Sequence, residues 1–311
     1  MANQVKLIFG AAFIASLSDE TRQEFLDVLE NNSVKEIDTA RLYKGSEKAL
    51  GDAGAPARFT IDTKAPAFFN GSLSKSSVLA GAKQSLNELG VEQVDTYFLH
   101  CPDPDTPLEE TLSAIQELFE AGTFVRFGLS NFTPAQVQDI YDIMLAKGYV
   151  LPTVFQGNYN AVARTYESDL FPLLRKLGIR FYAYSPIAGG FLVKTAEAIK
   201  AGIQGSRWDK NQMYSNLYGK PKLLAALEVW ESIAAEAGMT KAALAYRWVT
   251  FHSHLDAKYG DAVIFGASNV KQLQESLKAI QDGPLPSSIA AKVDNIWEAI
   301  KDEAPVDNYH G

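Results

Sequence analysis

One cysteine, Cys101, is all that the 311 residues contain, so an intramolecular disulfide is excluded and the fold must be held by its core. No run of Lys or Arg occurs. The formal charge of −8, with acids and bases interspersed, leaves no electrostatic footprint for nucleic acid or for an anionic membrane surface. No apolar stretch reaches the roughly 20 residues that a membrane-crossing helix needs. The opening MANQVKLIFGAAFIASLSDE has no basic start, and its apolar stretch is broken by serine and ended by Asp19 and Glu20, so a signal peptide is not expected. A cytoplasmic protein acting on a small molecule is therefore expected, and the sequons at Asn31, Asn70 and Asn131 need no glycan. CxxC, HExxH and phosphate-loop patterns are missing too, which removes support for metal and phosphoryl chemistry. His252 and His254, two apart on an expected helix, do not share a face as paired ligands would.

What is present is an alternation of short strand-like runs with helical stretches, supported by a hydrophobic content of 47%. The strand candidates are 6–10, 34–38, 58–64, 94–100, 124–130, 152–156, 179–185 and 262–266. Up to residue 184, successive strand ends lie about one βα unit, some 30 residues, apart. Between them Leu108, Leu112, Ile115, Leu118 and Phe119 recur at helical spacing, as do Leu223, Leu227 and Trp230, and these stripes are expected to face the core. Thr133 before Pro134 signals a helix start, and Gly148 and Gly178 signal helix ends. Eight units without a linker favour one (β/α)8 barrel over residues 1–311, since a doubly wound sheet would usually show GxGxxG after its first strand. The long gap before the last strand holds a Gly-rich, polar stretch, 189–219, expected to form a loop over a ligand and to be followed by two helices.

In such a barrel the strand ends converge on one face. The polar groups there are Asp38, Lys64, His100, Ser130 with Asn131, Gln156, Tyr184 with Ser185, and Gly266 with Ser268. Tyr43, in the loop after Asp38, is expected over the same face. A free phenol titrates near pH ~10, and a neighbouring ammonium favours its ionised form. Lys64 can be that ammonium, Asp38 can hold it charged, and His100 can position a substrate oxygen. Carboxylate, phenol, ammonium and imidazole together are the groups of carbonyl reduction. Phe13, Phe68, Phe69, Trp208 and Tyr214 are candidate apolar walls.

Beyond these residues, the stretches EIDTARLY, IDTKA, DTYFLHCPDPDTPLEETL, FGLSNF, LPTVFQGNYNA, ESDLFPLLRKLGIRFYAYSPIAGGFL and GDAVIFGASNVKQLQES, in this order and spacing, resemble the aldo-keto reductase superfamily, and within it the aflatoxin aldehyde reductase group. The resemblance implies a barrel that binds NADPH in extended form, with Asp38, Tyr43, Lys64 and His100 catalytic and Tyr43 the proton donor. It implies that Ser130, Asn131 and Gln156 hold the nicotinamide carboxamide while Tyr184 stacks on the ring. Ser185, Pro186, Ile187, Gly189, Gly190 and Leu192 would follow the pyrophosphate, with Arg207 assisting. Gly266, Ser268, Gln272 and Glu275 would surround the adenosine end, and His100, Trp208 and Tyr214 would meet the substrate. Relatives are often dimers, so a homodimer is compatible with the resemblance.

Several positions depart from the group. GGFLVK is one residue short, which removes the expected role for Lys194. Ser215 and Leu217 stand where relatives tend to carry arginines that grip an acidic substrate, and the sequence closes on NYHG without an arginine. Carboxylate-bearing aldehydes are therefore expected to be poor substrates. Two other functions share some of the residues: a lyase forming a Schiff base on Lys64, and a nicotinamide-binding barrel with little turnover that serves as a partner or sensor subunit.

Overall fold

The computed structural model describes residues 5–202 and 212–310. Eight strands close into one parallel barrel in sequence order. They are β1 (Lys6–Gly10), β2 (Glu36–Asp38), β3 (Thr60–Lys64), β4 (Val94–Leu99), β5 (Phe124–Ser130), β6 (Pro152–Asn158), β7 (Arg180–Tyr184) and β8 (Ala262–Phe265). The (β/α)8 architecture and all eight expected strands are present, with ends shifted by a residue or two. Helices cover the outside because the strands are apolar on their outward faces and parallel neighbours need a long crossover.

Two separate cores result. The larger lies between the sheet and the helices, and includes Phe25, Leu29, Leu112, Ile115, Leu118, Leu223, Leu227 and Trp230. The smaller fills the barrel interior with Ile8, Phe98, Val154, Tyr182, Ala262 and Ile264. Gly128 makes room for it, since a Cβ there would lie 2.3 Å from the Phe98 ring. The period of two along a strand puts alternate residues of β2 and β3 inside the barrel, with Glu36 and Thr60 toward its lower end and Asp38 and Lys64 at its mouth.

Helix boundaries follow the local chemistry. Thr133 and Gln136 form a reciprocal capping box at the start of helix Pro134–Lys147, which ends at Gly148 with φ 66°. Helix Leu170–Leu177 ends at Gly178 with φ 70°. Three expectations are corrected. Phe119 is 39% exposed, with its ring 5.8 Å from that of Phe124, because it sits at the edge of its helix's apolar stripe. His252 and His254 lie beyond helix Lys241–Phe251, and His252 Nε2 accepts the Leu285 N–H at 2.8 Å. The stretch 189–219 contains short helices, Ala196–Lys200 and Gln212–Tyr218, before the two longer ones, Pro221–Glu236 and Lys241–Phe251.

Candidate active site

At the barrel mouth Asp38 ends β2 and Lys64 ends β3, both buried. Lys64 Nζ donates to Asp38 Oδ1 at 2.6 Å, to Asp38 Oδ2 at 2.7 Å and to the Thr39 carbonyl at 2.8 Å. All three ammonium hydrogens are thus engaged. Burial alone would push Lys64 toward the neutral amine, but the charge of Asp38 and then that of Tyr43 outweigh it and hold the group above its ordinary value. A lysine held as the ammonium is a poor Schiff-base nucleophile, so the geometry argues against the lyase reading. Gln156 Nε2, from β6, donates to Asp38 Oδ1 at 2.8 Å, which fixes the carboxylate from a second side.

Tyr43 is placed by a tight turn. Its N–H reaches the Ala40 carbonyl at 3.0 Å, and its own carbonyl accepts the Ser46 N–H at 2.8 Å. The Ser46 hydroxyl pairs with Thr39 Oγ1 at 2.7 Å and reaches the Ala11 carbonyl at 2.9 Å, tying this turn to β1. Lys64 Nζ comes to lie 5.2 Å from the Tyr43 ring centroid. His100, the first residue after β4, meets Tyr43 edge-on at 5.9 Å and Phe68 edge-on at 5.6 Å. Burial, and then the charge of Lys64, hold the His100 imidazole well below its ordinary value, so it is neutral near pH 7. Its Nδ1 is buried without a partner. The adjacent Cys101 is inert, its thiol pushed up to about 11 by burial.

A second cluster holds the amides. Asn131 adopts φ 60°, a left-handed conformation that costs a non-glycine residue about 1–3 kcal/mol and marks functional sites. Its Nδ2 donates to the His100 carbonyl at 2.9 Å and to Ser130 Oγ at 3.2 Å. Its Oδ1 accepts the Tyr184 hydroxyl at 2.8 Å, and the Tyr184 oxygen in turn accepts the Asn308 N–H at 3.2 Å. Burial pushes the Tyr184 phenol well above its ordinary value. That proton is committed to Asn131.

From Tyr184 the chain turns through Ser185 at φ 55°, Ala188 at 54°, Gly189 at 63° and Gly190 at 93°, a run of left-handed backbone. Gly189 is required, since a Cβ would lie 2.1 Å from the Tyr214 ring. At the opposite end Ser268 donates to Gln272 Oε1 through Oγ at 2.8 Å and through its N–H at 3.2 Å, beside the start of helix Val270–Gln281.

A cavity of about 610 Å³ joins these parts. Of the expected site residues, Asp38, Tyr43, His100, Ser130, Asn131 and Gln156 line it, as do Tyr184, Ser185, Pro186, Ile187, Gly189 and Gly190, and then Tyr214, Gly266, Ser268 and Gln272. Lys64 sits behind Asp38. Leu192 is fully buried and Glu275 faces Lys271 at 3.8 Å; neither is among the residues that line this cavity. Phe13 and Phe68 are walls as expected, but Phe69 is 56% exposed and outside the lining. Arg207 and Trp208 lie outside the described residues. Leu42, Tyr246 and Asn308 also line the cavity, and nothing in their local sequence marks them. Asn308 is brought in by the segment that follows the last helix, where its N–H reaches the Tyr184 hydroxyl at 3.2 Å.

Buried amide groups, an aromatic face and a left-handed backbone turn along one continuous cleft fit a nicotinamide dinucleotide. Among the described residues no three His, Cys, Asp or Glu side chains are grouped to hold a metal, and no helix is long and apolar enough to cross a membrane. Comparison with known proteins agrees with the site. The model of the aldo/keto reductase family matches residues 6–298. The chain is 40% identical to oxidoreductase sirO of Leptosphaeria maculans, over 96% of this chain and 95% of that protein. It is 39% identical to aldo-keto reductase family 7 member A3 of Homo sapiens, over 87% and 86%, and 36% identical to aflatoxin B1 aldehyde reductase member 2 of Rattus norvegicus, over 95% and 84%. With strand ends, cleft and nearly the whole length in agreement, the chain belongs to the aldo/keto reductase family and is an oxidoreductase.

Proposed function

We propose that this chain reduces an aldehyde or ketone to the alcohol with NADPH, Tyr43 giving the proton to the carbonyl oxygen. The observation that carries this reading is the fully buried Lys64 ammonium, held 2.6 Å from Asp38 and 5.2 Å from the Tyr43 ring. When bound, NADPH supplies the hydride that reduces the carbonyl carbon. Tyr43 protonates the oxygen, and the Lys64 cation stabilises the phenolate left behind. Asp38 keeps Lys64 charged and oriented. Neutral His100 offers the carbonyl oxygen a hydrogen bond without adding a second charge beside Lys64. Ser130, Asn131 and Gln156 would hold the carboxamide, with Tyr184 against the ring; Ser185 to Gly190 would follow the phosphates, and Ser268 and Gln272 the adenosine end.

NADPH rather than NADH rests on the resemblance of these stretches to the aflatoxin aldehyde reductase group. Quenching of protein fluorescence by the two cofactors is expected to show tighter binding of NADPH; equal affinities contradict that part. An aldehyde as substrate is supported by the similarity to relatives named as aflatoxin B1 aldehyde reductases. Tyr43→Phe is expected to bind NADPH yet lose about a hundred- to ten-thousandfold in turnover, the usual worth of a positioned general acid. A variant that still turns over near the wild-type rate sinks the assignment. Wild type that binds NADPH but reduces nothing across aromatic, aliphatic, dicarbonyl and ketone panels would instead favour a sensor subunit.

A further inference from the structure

Glu47 is a fully buried carboxylate that the proposed reduction does not use. Both of its oxygens are taken. Oε1 accepts the Thr63 hydroxyl at 2.6 Å, and Oε2 accepts Arg41 Nη1. The same guanidinium reaches Glu88, Nη1 to Oε2 at 2.9 Å and Nη2 to Oε1 at 3.3 Å. Burial alone would favour loss of its proton, but the hydrogen bond with Glu88 and then the charge of Glu47 outweigh that and hold Arg41 above its ordinary value. The cluster is seated where helices Ser46–Asp52 and Lys75–Leu89 touch, since a Cβ on Gly51 would lie 2.2 Å from the Glu88 carbonyl oxygen. A buried ion pair gains little stability over apolar packing of the same shape; what it adds is a fixed geometry.

Lys64 stands on a strand, whereas Tyr43 stands on a turn. Ser46 ties that turn to β1, through Thr39 Oγ1 and the Ala11 carbonyl. Glu47 ties it to β3, where Thr63 immediately precedes Lys64. Arg41 lies two residues before Tyr43, and its own N–H reaches the Lys64 carbonyl at 3.4 Å. The period of two along β3 turns Thr63 outward toward Glu47 and Lys64 inward to the mouth. One carboxylate behind the sheet thus grips both the strand of the ammonium and the turn of the phenol. The attraction between an ammonium and a phenolate falls with their separation, so a turn that drifted would weaken the effect of Lys64 on Tyr43.

We infer that Glu47, bridged to Thr63 and Arg41, is a positioning residue that fixes the spacing of Tyr43 from Lys64 and so sets the strength of Tyr43 as an acid. The inference rests on the reading of Tyr43 as the proton donor and adds the group that places it. Glu47 is not among the residues that line the cleft; it acts through the turn. The charged and titratable groups that face Tyr43 are Lys64, Asp38 paired with it, and His100. His100 is neutral near pH 7 and above, so the alkaline limb of the reduction reports the Tyr43 proton.

The test follows the pH dependence of kcat with the aldehyde of the panel above that wild type reduces fastest. The variants are Thr63→Val, Thr63→Ser, Glu47→Gln, Tyr43→Phe and the combination of Thr63→Val with Tyr43→Phe, with NADPH affinity followed by fluorescence quenching. Thr63→Val keeps the shape and removes the hydroxyl. It should lower kcat about tenfold, on the scale by which a misplacement of about 1 Å costs on the order of a hundredfold, and leave NADPH affinity unchanged. With Lys64 farther off, the phenol titrates at higher pH, so the alkaline limb should move up by about half a pH unit. Thr63→Ser keeps the hydroxyl and should restore both rate and limb. In the Tyr43→Phe background, Thr63→Val should cost nothing further, because its effect passes through the phenol. Thr63→Val that binds NADPH but keeps the wild-type rate and limb overturns the positioning role, as does an equal loss in the Tyr43→Phe background; both results leave Tyr43 as the donor. Wild-type turnover in Tyr43→Phe, or no turnover in wild type, overturns the donor reading and the positioning role with it. Should Thr63→Val not fold, Glu47→Gln, which weakens the grip on Arg41, decides by the same rate and limb.

Discussion

The two ends of the barrel carry the same three kinds of group and put them to different use. At the mouth, Lys64 meets Asp38 at 2.6 Å and lies 5.2 Å from the Tyr43 ring. At the lower end, Lys6 meets Glu36 at 2.7 Å, meets the Tyr182 hydroxyl at 2.8 Å, and lies 4.6 Å from the Tyr182 ring. Glu36 and Asp38 are even two residues apart on one strand. A plug of Ile8, Phe98, Val154 and Ile264 separates the ends. What differs is the surrounding charge and the access. Burial, and then the charges of Glu36 and Asp62, push the Tyr182 phenol far above its ordinary value, and Arg126 and Arg180 offset them only in part. At the mouth one carboxylate is matched by one ammonium, and the phenol opens on the cleft. The lower hollow of about 480 Å³ is lined by Arg58, Thr60, Asp95 and Val125 but by neither Lys6 nor Tyr182. On the proposed reading, a lysine, a carboxylate and a tyrosine serve as a proton donor at the mouth because there the phenol opens on the cleft.

The largest effect expected from disturbing this contrast is at Lys64. Lys64→Met leaves Asp38 buried and unpaired, which should cost about 3–5 kcal/mol in denaturant unfolding along with turnover; a variant as stable as wild type would mean that the pair is not what holds the mouth. At the lower end Asp62→Asn should act in the opposite sense. Burial, and then the charge of Glu36 and a hydrogen bond with it, raise the Asp62 carboxyl well above 3.8, and Asp62 Oδ2 and Glu36 Oε1 are both buried without a donor. One proton shared by the two carboxyls is expected to satisfy these oxygens. A folded value above the unfolded one means stability that is present below about pH 3.8 and lost as pH rises toward the folded value. Asn mimics the protonated acid at all pH values, so the variant should gain on wild type in denaturant unfolding as pH rises. A deficit that widens with pH contradicts the shared proton.

The strand ends were legible in the sequence because short apolar runs stop at Asp38, Lys64, His100, Ser130 and Gln156, and period two fixes which side such residues face. Their grouping followed from barrel closure alone. Leu192 and Glu275 came with their motifs, and where their side chains face is set by how a loop turns and by which side of a helix meets the cleft, not by local pattern. Phe119 failed for a similar reason, at the margin of its stripe. Asn308 and Asp307 were illegible, since their partners Tyr184 and Tyr166 lie more than 100 residues away and no spacing announces such a contact. The lower-end network was hidden too: Lys6, Glu36 and Asp62 read as alternating strand residues until the closed barrel turned them toward one another.

The most direct measurement places Tyr43→Phe and Tyr182→Phe side by side in one assay of NADPH-dependent aldehyde reduction. Turnover should fall about a hundred- to ten-thousandfold in the first and stay at the wild-type level in the second, which should lose only about 1 kcal/mol of stability with its hydrogen bond to Lys6. Tyr43→Phe with wild-type turnover, or equal loss in both variants, would contradict the claim that the mouth alone makes a proton donor.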